Sequence, residues 1–301
     1  MATPSFDPEV PSIARVYDYL LGGKDHFPAD REIGEIFVSR FSGAVAIAQD
    51  NRACLVRAVS YIANELGIDQ FLDLGSGLPT ADNVHEVAQR AKPAARVGYV
   101  DIDPVVLAHG RALLQEDDQT VVIRANITDP RSVLDNPELR ALLDFSRPVA
   151  IIASAILHHL TDDEDPLGVI ATFKDALPEG SCLFVSHFRT LGDPDSVELE
   201  AVLHEAFGRG TWRTDAQIAG YFAGTDLVEP GIVPCAQWHP EADPGEMTGY
   251  QRLIVAGLGR KLPRPSRGTG APPSPGGPSW PPRGCASRLR SACPQAAGPP
   301  G

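Results

Sequence analysis

From residue 70 onward, short apolar runs alternate with amphipathic stretches, and the alternation fixes the fold class. Runs near 70–74, 96–101, 120–125, 148–155 and 181–187 predict strands, with helices near 79–91, 104–115, 137–143 and 165–177 between them. Strands this apolar, separated by helices, belong to a parallel sheet covered on both faces. Further helices are predicted at 194–207 and 215–223, the second opened by a Thr214/Gln217 capping box. Two last strands, Leu227–Val233 and Tyr250–Gly257, flank a proline-rich link that predicts an antiparallel ending. Ahead of the first strand lie three helical patterns. Ser12 caps a helix to Leu21 whose stripe is Ile13, Val16, Tyr17, Leu20 and Leu21. Pro28 opens a second, with Ile33, Ile36, Phe37 and Phe41 at helical spacing; the third runs from Ala44 to Leu66 and ends at Gly67. Three helices in that place predict a cap over the sheet edge that encloses a ligand.

The stretch Phe71-Leu72-Asp73-Leu74-Gly75-Ser76-Gly77-Leu78-Pro79-Thr80 joins a buried strand to a glycine turn, with Pro79 placed to begin a helix. That geometry lets backbone amides approach a nucleotide-like ligand. A second strand ends in Val100-Asp101-Ile102-Asp103-Pro104, and Asp101 stands 26 residues beyond Gly75, the span of one helix and one return strand. An acid there can accept from both ribose hydroxyls of a nucleoside. The alternative is that Asp101 and Asp103 are helix caps. At the third strand end, Asn126 and the Ile127 N–H can meet an adenine edge, or Asn126 can cap while Ile127 enters the core. The fourth strand ends in Ala153-Ser154-Ala155-Ile156-Leu157-His158-His159, at the point where the strand order reverses and ligands bind. His158, His159 and His187 are candidates for contacting substrate or removing its proton.

Composition narrows the partners. Hydrophobic residues make up 43% and charged residues 22% of 301, ordinary for a globular chain. A formal net charge of −13 argues against a nucleic-acid surface. From Lys261 the tail is rich in Pro and Gly and holds six basic residues and no acids, which leaves −19 before it. Without apolar periodicity the tail is expected to be disordered. No segment has the apolar length of a membrane span and no secretory leader pattern opens the chain. Five scattered cysteines (Cys54, Cys182, Cys235, Cys285, Cys293) without metal-type pairing predict a cytoplasmic protein with no metal.

The motifs DLGSG, VDIDP, RANITD and ASAILHHL, in that order, resemble those of class I S-adenosylmethionine-dependent methyltransferases. The runs RVYDYLLGGKDHFPADR, QDNRACLVRAV and FLDLGSGLPTADNVHEVAQ are closer still to one bacterial family of S-adenosyl methyltransferases, from about Pro11 to Lys261. The resemblance implies a Rossmann-like, seven-stranded, mostly parallel α/β sheet of order 3-2-1-4-5-7-6 with an N-terminal helical cap. Residues 1–66 would be the cap, within the same globular unit; 67–260 the methyltransferase domain; 261–301 the tail. It also implies S-adenosylmethionine as methyl donor, with Asp73, Gly75, Ser76 and Gly77 by its methionine, Asp101 by the ribose and Ile102 by the adenine. Asn126 and Ile127 would hold the adenine edge, and Ser154 the methyl side. Pro79 stands where the broad class often has a glycine, and Asn126 where an Asp is common.

Tyr19 and the Lys24–His26 turn are expected to face the ligand as a lid, while Tyr17 belongs to the apolar stripe. The acceptor is expected to be a small molecule. Two other readings stay open: an NAD-dependent oxidoreductase, which position 80 disfavours by being Thr where a third glycine would stand, and a protein that binds S-adenosylmethionine without catalysis.

Overall fold

A computed structural model describes residues 7–113 and 118–262. Three helices come first: α1 (Ile13–Leu20), α2 (Pro28–Arg40) and α3 (Ala44–Asn64). Then β1 (Gln70–Leu74), α4 (Val84–Ala91), β2 (Arg96–Asp101), α5 (Pro104–Leu113) and β3 (Thr120–Arg124) build one half of a sheet. The other half holds α6 (Pro130–Leu134), α7 (Pro137–Leu142), β4 (Ala150–Ser154), α8 (Pro166–Ala176) and β5 (Cys182–Phe188). The chain then forms α9 (Pro194–Phe207), α10 (Asp215–Tyr221), β6 (Thr225–Leu227), β7 (Val233–Pro234) and β8 (Ile254–Lys261).

The sheet order is β3-β2-β1-β4-β5-β8-β6, with the two-residue β7 also pairing β8. The first five strands are parallel, and β8 is antiparallel to β5 and β6. This is the expected Rossmann-like order, with β8 as the penultimate strand because β7 intervenes in the chain. The long last strand starts later than its apolar pattern suggested and includes Lys261. There the Lys261 N–H donates to Ser181 O (2.7 Å), so this residue closes the sheet and does not open the tail. The expected disorder from 263 onward falls outside the described residues.

Alternation along the strands separates two cores. Phe71, Val97, Tyr99, Ile152 and Phe184 face one side, and Leu72, Val100, Ile151, Leu183 and Val185 face the other. The first side is covered by α3, whose Cys54, Leu55, Ala58, Val59 and Ile62 are buried against it. So α3 is a layer of the sandwich, and the cap proper is α1 and α2. The second side carries α6 to α8 and α10. Pro79 does not open a helix: α4 starts at Val84 because Asn83 Oδ1 takes the Thr80 N–H (3.0 Å) and Glu86 Oε2 takes the Asn83 N–H (2.6 Å). Residues 78–83 are therefore a loop.

One buried carboxylate holds the cap together. Asp30, fully buried on α2, accepts from Arg15 Nε (2.7 Å) and the Phe27 N–H (2.8 Å) with one oxygen and from the Ser12 N–H (2.8 Å) with the other. Arg15 is itself 2% exposed, and its Nη2 also donates to Val10 O (2.5 Å). Replacing Asp30 by Ala should cost about 3–5 kcal/mol, because it removes the carboxylate of a buried ion pair together with its bonds to two backbone N–H groups. Urea unfolding of the variant measures this; a loss under about 1 kcal/mol would mean the cap does not fold as a unit with the sheet.

Candidate functional site

The strand order reverses between β1, which pairs β2, and β4, which also pairs β1. At the carboxyl ends of these strands a cavity of about 350 Å³ opens beneath α1 and α3. It lies where open α/β sheets place their ligands.

On one side the walls are polar. Gly75 and Gly77 turn the chain with φ of 70° and 66°, a conformation that an L side chain resists. A side chain at Gly75 would also collide with Ile156, which covers the turn. Asp101, at the end of β2, accepts from the Gly77 N–H (2.9 Å) with one oxygen and from the Ile102 and Asp103 N–H groups (2.7 and 2.9 Å) with the other. It thus fixes the glycine turn as well as capping its own loop. Burial raises its pKa, while those three amides pull it back down. Ile102 lines the cavity with 55% of its surface exposed, a poor place for an aliphatic side chain that covers nothing.

Two ionisable groups in this wall lack a full set of partners. Asp73, 5% exposed at the end of β1, receives no hydrogen bond among the described residues. Burial pushes its pKa up to about 7 against the pull of Arg52, with Asp101 adding to the rise. Arg52, from α3, donates through Nη2 to Ala81 O (2.9 Å) and Asp82 O (2.8 Å), yet its Nε is buried with no acceptor. A carboxyl and a guanidinium left unsatisfied on one cavity wall are the two halves of a site for a zwitterion.

The floor above β4 is a hydrogen-bonded network centred on Asn51 of α3. Its Nδ2 donates to Tyr17 Oη (2.9 Å) and Ser154 Oγ (3.3 Å), and its Oδ1 accepts from Ser186 Oγ (2.6 Å). Tyr17 Oη donates to Ala48 O (3.1 Å), and burial raises that phenol to about 12. Ala155, next to Ser154, is held at φ 52° with its N–H on Ser186 Oγ (2.9 Å). A left-handed alanine at a strand end facing a cavity is local strain of the kind found at binding sites.

Several expected site residues lie elsewhere. Tyr19 does not line the cavity; its ring packs on Gly34 of α2 and edge-on to His26 at 5.3 Å. The stripe residue Tyr17 lines it instead. The Lys24–His26 turn is tied back by Asp18, which accepts the Asp25 N–H (2.9 Å) and meets His26 Nδ1 (3.1 Å). Asn126 is exposed with its Oδ1 on the Thr128 N–H (3.0 Å), and the Ile127 side chain is in the core, so neither lines the cavity. His187 is outside it too: Nδ1 donates to Phe188 O (2.6 Å) and Nε2 accepts from Arg213 (3.5 Å). Asp73, Gly75, Ser76, Gly77, Asp101, Ile102, Ser154, His158 and His159 are all brought together. Sequence reasoning missed Arg52 and Asn51, although the polar run Gln49-Asp50-Asn51-Arg52 interrupting an apolar helix was a signal.

Burial keeps the histidines uncharged. His159 is lowered to about 4, with Arg209 adding to the effect, and His187 to about 3. His158 falls well below its ordinary value, by burial first and then by His159, His187 and Arg213.

Known proteins fit this geometry. Residues 1–262 match a family model described as S-adenosyl methyltransferase. The crystal structure of a Thermobifida fusca protein, provisionally named a methyltransferase, is similar at 46% identity over 86% of this chain and 98% of its own, with a TM-score of 0.83. A DUF574 family protein of Streptomyces avermitilis is similar at 38% identity over 85% of this chain and 99% of its own, with a TM-score of 0.81. No protein with a curated description matches. With the match running through the cap, the glycine turn and the whole sheet, the chain belongs to the S-adenosyl methyltransferase family.

Proposed function

We propose that this protein transfers the methyl group of S-adenosylmethionine to a small-molecule acceptor, with the donor held over the ends of β1 and β2. The observation that carries the reading is a single cavity wall where Asp101, Ile102, Asp73 and Arg52 meet the glycine turn. Each has a counterpart in the donor. Backbone amides take three of the roughly four acceptor positions of the Asp101 carboxylate, which leaves one, on the oxygen that meets Gly77, for a ribose hydroxyl. Ile102 offers an exposed apolar surface for the adenine face. The Asp73 carboxyl and the Arg52 Nε, which has no acceptor, suit the ammonium and carboxylate of the methionine part. Ser154 and Tyr17, held by Asn51, border the methyl side.

S-adenosylmethionine supplies a methyl group that is already activated, so the chain's task is alignment and exclusion of water. The cap provides the second. Ser12 Oγ donates to Asp103 Oδ2 (2.9 Å), latching the start of α1 to the strand end where the nucleoside would rest. A cavity of about 350 Å³ in a protein of net charge −13 favours a small acceptor over nucleic acid. The dinucleotide reading is weaker. A pyrophosphate needs a helix N-terminus directly after the glycine turn, whereas α4 begins only at Val84. No helix among the described residues is long and apolar enough to cross a membrane.

S-adenosylmethionine at a hundred times its Kd should stabilise the protein by about 2.7 kcal/mol, seen as a raised Tm. Asp101→Asn should weaken binding by about 1.5–3 kcal/mol. An unchanged Tm at saturating ligand, in the parent protein, would count against the reading.

The Asp73–Arg52 pair gives a pH signature. Only ionised Asp73 can pair with an ammonium, and its pKa of about 7 means that binding must first expel a proton at lower pH. The donor's α-amino group stays charged over that range, at an ordinary pKa of about 7.7–8.0. Affinity should therefore rise between pH 5.5 and 7, by up to about tenfold per unit, and Asp73→Asn should flatten the slope. Calorimetry across that range checks it; a pH-independent Kd in the parent protein would remove Asp73 from the ligand.

A further inference from the structure

The donor groups account for only part of the cavity. Sheet order places its other side well away: from β2 to β5 is three strand spacings, about 14 Å. That far wall is apolar, formed by Phe188 at the end of β5, Ile254 at the start of β8, and Leu199, Leu203 and Phe207 along α9. Phe188 is held flat, stacked on Trp212 with centroids 4.8 Å apart and planes at 9°.

Charge is nearly absent there. The acids that line the cavity, Asp73, Asp101 and Asp103, all belong to the β1 and β2 ends. Arg209, the one cation on the far side among the described residues, is paired with Glu164 at 3.5 Å. Between the two sides, just after β4, stand His158 and His159. Both are buried, at 2% and 6% exposure, and the Nδ1 of each has no partner. Among the described residues neither ring receives or makes a hydrogen bond. An uncharged imidazole has one N–H donor and one nitrogen acceptor, the same complement that a hydroxyl offers in return. Among the lining residues a cationic amine would find no carboxylate on this side, since Glu164 is engaged by Arg209, and a carboxylate would find only that same arginine.

We propose that the β5 side of the cavity is the acceptor subsite, and that it takes an uncharged aromatic molecule whose hydroxyl hydrogen-bonds His158 or His159. This rests on the methyl-donor reading, since it places the acceptor's hydroxyl above β4, beside the donor's expected methyl position at Ser154. The flat faces of Phe188 and Phe207 suit a ring, and the aliphatic side chains of α9 and β8 enclose it.

Three naphthalene probes with one shared ring system separate the possibilities: 2-naphthol, 2-naphthoate and 2-naphthylmethylamine. Each is titrated into the full-length protein saturated with S-adenosylhomocysteine, and binding is followed by naphthalene fluorescence. Naphthol should bind at least about tenfold more tightly than either charged probe. Leu203→Trp, which fills the subsite from α9, should abolish naphthol binding, and His159→Phe and His158→Phe should between them lower it at least about tenfold. All three variants should keep the parent's affinity for S-adenosylhomocysteine, which also reports that they are folded. Equal or tighter binding of naphthoate or the amine, no naphthol binding by the loaded parent, or unchanged naphthol affinity in Leu203→Trp would overturn the proposal. Failure of S-adenosylhomocysteine to bind the parent protein would instead overturn the methyl-donor reading, and the acceptor proposal with it.

Discussion

The structure depends on one buried amide. Asn51 is 3% exposed in the middle of α3, and its two polar atoms reach α1 through Tyr17, β4 through Ser154 and β5 through Ser186. Each hydroxyl would lose one hydrogen bond without it, at about 0.5–1.5 kcal/mol apiece. The network therefore ties the cap to the sheet, because one side chain of α3 bonds to α1, β4 and β5 together. It also fixes the shape of the cavity floor, since the serine that orders Asn51 holds the Ala155 N–H and so the strained turn at the end of β4. Fold and site share the same hydrogen bonds.

A second constraint is electrostatic. The protein keeps a carboxyl and a guanidinium on the cavity wall without giving either a full set of partners. Ionised Asp73 is disfavoured in the folded chain, because burial lifts its pKa to about 7 against the pull of Arg52. The unfolded chain ionises this group in the ordinary carboxylate range, so its contribution to stability is full below that range and is lost as pH rises towards 7. Groups that cost stability in the free protein and match the charges of a ligand are the usual mark of a binding site. The far wall of the same cavity is built the other way, with apolar side chains and two imidazoles that burial keeps neutral. One cavity thus joins two chemistries across the end of β4.

The sheet was legible in the sequence because parallel strands buried on both faces are nearly continuous apolar runs, as in Phe71–Leu74 and Ala150–Ala153. The glycine turn and Asp101 were legible because their spacing follows from one helix and one strand. Other features were set by contacts far apart in the chain. Pro79 carried a start signal, but Asn83 and Glu86 cap more completely, so the helix waits for them. Tyr17 sits on the apolar stripe, which pattern alone assigns to core; part of that stripe faces a cavity, and Tyr19 turns away onto Gly34. Asn126 resembled an adenine ligand, yet its side chain is satisfied locally by the Thr128 N–H. His187 shares a strand end with the site, but Arg213, 26 residues on, takes up its second nitrogen. Arg52 comes to the glycine turn from the facing layer, a meeting that no local spacing records.

The proposed function has the polar wall recognise one nucleoside carrying an amino acid in preference to a dinucleotide. Parallel calorimetric titrations of the purified protein with S-adenosylmethionine and with NAD test it most directly. One S-adenosylmethionine should bind per chain, with no measurable heat from NAD at the same concentrations. Binding of NAD with equal or higher affinity, or no binding of S-adenosylmethionine, would contradict it.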